Sequence, residues 1–118
     1  MKLIVALIQP SRLEALKSKL SRWGINGMTV SDTNGPASQT IQKENSSSQA
    51  SQESENLLIP KVKVEIVVDS DVADVILNLV VAAARNGQDG TIGDGKVFML
   101  PLNDAVRMRT GEIGSLAL

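Results

Sequence analysis

Residues 37–56 divide this chain, and the division limits the available folds more than any other feature. From Ala37 to Asn56 the residues are mostly Ser, Gln, Glu and Asn, with a run at Ser46, Ser47 and Ser48. Ile41 is the segment's one large apolar residue. Such a stretch buries too little apolar surface to offset the entropy of ordering it, so a long exposed loop is expected, mobile when nothing is bound. Loops of that length in small domains are uncommon and tend to carry function. On each side of it the chain reads strand, helix, strand.

In the first half, Leu3 to Ile8 is continuously apolar, the pattern of a strand buried on both faces, and Pro10 stops it. Ser11 and Glu14 have capping-box spacing. Leu13, Leu16, Leu20 and Trp23 then recur at helical spacing up to Gly24, a C′ glycine. Thr29 and Val30 suggest a second strand from Met28 to about Thr33. In the second half, Val62, Val64, Ile66 and Val68 alternate along a strand from Lys61 to Val68. Asp69, Ser70 and Asp71 offer N-caps for a second helix. Its stripe is Val72, Val75, Ile76, Leu79, Val80 and Ala83, and Arg85, Asn86 and Gly87 close it. A fourth strand covers Val97 to Leu102, a short strand-like piece covers Ala105 to Arg109, and an open tail starts near 110.

Two split β-α-β halves in 118 residues give one α+β domain. The expected form is a ferredoxin-like βαββαβ sandwich, an antiparallel sheet with both helices on one face. Leu3, Val5, Leu7 and Val67 leave the other face too apolar for water, so self-association is expected. Trp23 and Phe98 are the only aromatics, so Val, Ile, Leu and Ala must build the core.

Gly90 to Lys96 holds three glycines, Asp94 and Lys96 directly ahead of the apolar run from Val97 to Leu100. Glycines at positive φ let successive N–H groups face one concavity, a common way to hold phosphate, with a lysine at its mouth. The spacing also fits G-x-x-x-x-G-K. However, Val97 stands where a P-loop needs Ser or Thr for Mg²⁺, and a strand follows instead of a helix. Other chemistry is limited by composition. The chain has no Cys and no His, which excludes disulfides, thiol redox chemistry, zinc fingers and His-based acid–base catalysis. A net charge of −1 gives no reason to expect a nucleic-acid partner. No run reaches membrane-spanning length, and the N-terminal apolar run is too short for a signal peptide, so a cytoplasmic protein without membrane insertion is expected.

Four blocks carry a family resemblance: Gly27 to Val30, Pro60 to Val68, Thr91 to Phe98, and Arg107 to Glu112. Along nearly its whole length the chain resembles the PII signal-transduction proteins. The resemblance implies a homotrimer that binds adenine nucleotide (ATP, ADP or AMP, with Mg²⁺ accompanying ATP) in clefts between subunits. It also implies control of a target protein, a transporter or a metabolic enzyme, through the long loop. Carried over by motif, Gly93, Asp94, Gly95 and Lys96 would cradle phosphates and Arg107 and Arg109 would reach them. Gly35, Ser38 and Gln39 would open the loop at the phosphate end. Thr29, Glu65 and the backbone near Val64 and Val67 would lie near adenine. Gln39 would meet the metal of Mg-ATP, and Gln39 with Lys61 would bind 2-oxoglutarate.

The chain departs from the family pattern at the loop. Ser38 stands at the family's arginine position, and Ala37 and Ile41 replace glycines. There is no tyrosine to nucleotidylylate, and about three extra residues precede the glycine loop around Gly87 to Gly90. Losing that arginine removes a charge-assisted contact of roughly 1.5–3 kcal/mol, which favours ADP or AMP over ATP. Two other readings stay open on the residues alone: a slow nucleotide-hydrolysing enzyme, with Asp94 and Glu112 as candidates to orient water, and a trimeric interaction module that no longer binds nucleotide.

Overall fold

The computed structural model describes residues 1–36 and 58–118. Ser38, Gln39 and the expected loop at 37–56 lie outside the described residues. The order is β1 (Lys2–Ile8), a 3-10 turn (Pro10–Arg12), α1 (Leu13–Arg22), β2 (Met28–Pro36), β3 (Leu58–Val68), α2 (Ala73–Ala84), β4 (Gly95–Pro101) and a final 3-10 turn (Gly114–Ala117). The four strands form one antiparallel sheet in the order β2-β3-β1-β4. Each β-α-β half is therefore split by a strand of the other half, which is the ferredoxin-like arrangement expected.

One face of the sheet carries the core. Ile4, Ala6 and Ile8 of β1 meet Val62, Val64, Ile66 and Val68 of β3 beneath Leu16, Leu20, Ile76 and Val80 of the helices. Among the described residues every buried core residue is Ile, Leu, Val or Ala, so the aliphatic expectation holds. Burying each large aliphatic side chain contributes about 1.5–3 kcal/mol. The opposite face holds Leu3, Val5, Leu7 and Val67, only partly covered, beside Phe98 and Leu100 at 48% and 44% exposure. The register sets Phe98 against Val5 and Leu100 against Leu3. Thus β1 is fully buried on one face only within a single chain. The continuous apolarity of β1 predicts cover on both faces, and among the described residues only one face has it.

Several local expectations give way to competing contacts. Pro10 opens a 3-10 turn, closed by the Arg12 N–H on the Gln9 carbonyl at 3.0 Å, so Ser11 falls inside the turn and caps nothing. Helix α1 starts at Leu13, and Glu14 pairs with Lys17 at 3.2 Å. At the other end, Gly24 (φ 75°) and Ile25 close α1 by donating to Ser21 and Leu20, the glycine-ended stop expected. Trp23 sits at the C-cap and is 54% exposed, outside the core. The N-cap of α2 is Val72, without a side-chain cap. Asp69 and Ser70 tie down the termini instead: the N-terminal ammonium donates to Ser70 Oγ at 3.0 Å, and Ser115 Oγ donates to Asp69. The C-terminal segment is neither a strand nor open. Val106 bridges Ile113 around a turn that the Gly111 N–H closes on the Arg107 carbonyl at 2.8 Å.

β2 runs to Pro36, past Thr33, because β3 pairs with it as far as Leu58. β1 stops pairing with β3 at Val62. Among the described residues, only β2 accompanies β3 from Leu58 to Lys61, so the pair leaves the sheet as a two-stranded ribbon.

Candidate functional site

Three chain segments meet at the end of the sheet where β1 finishes and β4 begins. The glycine loop is one of them. Gly87, Gly90, Gly93 and Gly95 all have positive φ, between 70° and 113°, which lets the chain turn sharply from α2 into β4. At Gly95 a side chain is forbidden outright: a Cβ would lie 1.8 Å from the Leu7 carbonyl oxygen. Asp94 holds the loop's shape. Its carboxylate accepts from Thr91 N and Oγ1, both at 2.8 Å, and from Asn86 N at 3.0 Å and Nδ2 at 2.5 Å. These bonds, led by the backbone N–H groups of Thr91 and Asn86, push the Asp94 pKa far below the usual carboxylate range.

That direction fixes a pH dependence. The group is depressed in the folded state, so its contribution to loop order is fully present above the ordinary carboxylate pKa near 4. It is lost only as pH falls through the lower folded value. The expected result is a Thr91 amide that keeps its hydrogen-bonded NMR shift from neutral pH to about pH 4 and loses it only in stronger acid. Asp94 therefore shapes the loop, each of its carboxylate oxygens accepting two hydrogen bonds. Among the described residues, no acceptor takes the N–H groups of Ile92 and Gly93, which remain as donors at the loop's tip.

The second segment is the exit of β1. Gln9 Nε2 donates to the Gly93 carbonyl at 3.2 Å, and Arg12 donates to Asn86 Oδ1. The third is the ribbon. Lys61 lies across Gly35, where a Cβ would stand 3.2 Å from Lys61 Cγ, and its Nζ donates to the same Gly93 carbonyl. Gly35, Lys61 and Gly93 are thus brought together. Gln9, Arg12 and Asn86 join them unforeseen. The Thr-x-x-Asp spacing at Thr91 and Asp94 was a signal for the turn. Nothing local announced Asn86, whose partners Arg12 and Gln9 come from more than seventy residues away. Behind the loop lies a cleft of about 480 Å³, lined by Ile8, Val80, Ala84 and Val97 with Arg85 and Lys96.

The remaining candidates lie elsewhere. Arg107 donates to the Leu118 and Ala117 carbonyls at 2.7 and 3.4 Å and lines a cleft of about 550 Å³ with Gly27, Val67 and Val68. That cleft is at the end of the sheet where β4 finishes. The length of β4 separates it from Lys96, roughly 20 Å at about 3.4 Å per residue. Arg109 is exposed in the adjacent turn. Within one chain, therefore, Lys96 does not converge with Arg107 and Arg109. Thr29 and Glu65 are register partners near the same end, and Glu65 pairs with Lys63 at 3.0 Å. Val64 has its side chain in the core and β1 and β2 on either side of it. Val67 differs, because β2 begins at Met28, opposite Ile66, and leaves Val67 with β1 alone.

Comparison with known proteins bears on this arrangement. The family model described as nitrogen regulatory protein P-II matches residues 1–112. Nitrogen regulatory protein P-II 2 of Methanothermobacter thermautotrophicus is 40% identical over 118 residues, covering 100% of this chain and 97% of the relative. The P-II protein of Nostoc punctiforme is 42% identical over 112 residues, 95% of each chain. The Arabidopsis thaliana homologue is 40% identical over 114 residues, covering 97% of this chain. This chain spans about half the length of the two plant relatives it matches, 56% for Arabidopsis and 51% for rice. A crystal structure of Arabidopsis PII bound to citrate superposes with a TM-score of 0.77 at 36% identity, covering 99% of this chain and 91% of that one.

Proposed function

The chain belongs to the nitrogen regulatory protein P-II family, and on that premise we propose a homotrimeric regulator that binds adenine nucleotide where two subunits meet. The family is one of regulators and not of enzymes. One observation carries the proposal: the ordered glycine loop with Lys96 and the pair Arg107 and Arg109 stand at opposite ends of one sheet. Neither end is a polyphosphate site alone. The apolar face of Leu3, Val5, Leu7, Val67, Phe98 and Leu100 supplies the reason for subunits to pack. Sheets packed around a threefold axis bring the arginine end of one subunit beside the lysine end of the next.

In that cleft the N–H groups at Ile92 and Gly93, with Lys96, take one side of the phosphates, and the guanidinium groups take the other. Thr29, Glu65 and the open edge at Val67 receive the adenine. Where ATP carries Mg²⁺, Gln39 would hold it beside the phosphates. Ser38 in place of an arginine favours ADP or AMP. Lys61 and Gln9, converging on Gly93, suit a carboxylate effector of the 2-oxoglutarate kind, and the solved relative was crystallised with citrate. Binding there changes residues 37–56, which engage a transporter or metabolic enzyme of the cytoplasm.

The test is calorimetry with ATP, ADP and AMP, each with and without 2-oxoglutarate, beside light scattering. The expected results are a trimer and a dissociation constant for ADP at or below that for ATP. A charge placed on the open face, Val5→Glu, is expected to yield monomers that bind no nucleotide. A monomeric parent protein, or silence in every titration, sinks the reading.

A further inference from the structure

We propose that Asn86 is a positioning residue that fixes the glycine loop for polyphosphate, and so sets how much each added phosphate contributes to binding. The inference rests on the nucleotide reading above. Asn86 is the second residue past α2, between Arg85 in extended conformation and Gly87 at φ 70°. Its backbone N–H and its side-chain amide grip both oxygens of Asp94, at 3.0 and 2.5 Å. The same amide nitrogen reaches Gln9 Oε1 at 3.4 Å, and the amide oxygen accepts from Arg12.

The network leaves the amide one sense. Arg12 can only donate and the Asp94 carboxylate can only accept, so Oδ1 must face the first and Nδ2 the second. Asn86 thereby couples the exit of β1 to the loop. Residues 87–93 between the two ends of this staple include Gly87, Gly90 and Gly93 at positive φ, a backbone with much freedom to lose. Closing it at Asp94 holds the N–H groups of Ile92 and Gly93 in place before a ligand arrives, so the ordering cost is not charged against binding. The adenine side, formed by β2 and the end of β3, has no part in the network.

The test compares Asn86→Ala, Asn86→Asp and the parent protein by calorimetry with ATP, ADP and AMP, with circular dichroism and light scattering confirming fold and assembly. Asn86→Ala is expected to weaken ATP and ADP about tenfold and AMP by about twofold or less, from loss of a hydrogen bond to a charged group. Asn86→Asp, of the same size, is expected to weaken ATP further, because the new carboxylate faces Asp94 and the phosphates. A general structural role would weaken all three ligands alike; that outcome, or no change in any, overturns the inference while the nucleotide reading stands. A parent protein that binds none of the three overturns both.

Discussion

Gly95→Ala is expected to lose about 3–5 kcal/mol of stability, a large share of what a domain this size has. Two penalties coincide at this residue. Its φ of 113° is outside the range that alanine tolerates, and the added Cβ would lie 1.8 Å from the Leu7 carbonyl oxygen and 2.9 Å from the Leu7 carbonyl carbon. Both are backbone atoms, so no rotamer change relieves the overlap. β4 must move off β1 at the start of their pairing, beside Ile8. Gly111→Ala is the control. It has positive φ, 73°, with nothing within 4 Å of the added methyl. It carries only the conformational penalty, about 1–2 kcal/mol. Urea unfolding followed by circular dichroism measures both, and equal midpoints would show that β1 and β4 do not approach as described.

The second large effect concerns where the cations come from. Lys96→Ala and Arg107→Ala are each expected to weaken ADP binding by roughly tenfold to a hundredfold, the loss of a charge-assisted phosphate contact. Unfolding the two variants together and refolding them as mixed trimers is expected to recover binding. A cleft whose lysine end comes from the Arg107→Ala subunit, and whose arginine end comes from the Lys96→Ala subunit, has both cations intact. Random assembly of a ring of three makes roughly a quarter of the clefts that kind. If one subunit supplied both groups to its own site, mixing would restore nothing. Titrating the mixed protein and comparing its stoichiometry with that of each parent decides between them.

The parts legible in the sequence were those governed by short-range periodicity. Alternation from Val62 to Val68 set β3 and its buried face, the dearth of aromatics set an aliphatic core, and Gly24 marked the end of α1. The glycine loop and the strand after it were legible for the same reason, since positive-φ residues and a β-branched run each leave a local mark. The caps failed because a capping residue has a choice. Asp69 and Ser70 find partners in Ser115 and the N-terminus, groups distant in sequence that no local pattern can weigh. Asp94 was legible only as a residue type, whereas the four hydrogen bonds it accepts come from the fold. Asn86 was passed over as a helix stop for the same reason. The separation of Lys96 from Arg107 follows from strand direction. Motif blocks carry no direction until the register is known.

The ribbon formed by Asn34–Pro36 and Leu58–Pro60 has one further implication. Two strands without a third beside them resist twisting and bending poorly, so its heading is set at the root and not along its length. At that root Lys61 is moored to Gly93 across Gly35. A carboxylate or phosphate that draws the ammonium group away casts off that mooring, and the same two strands are then free to swing to a new bearing. Loss of that mooring alone would let the two strands re-aim, with no rearrangement of the sheet behind them.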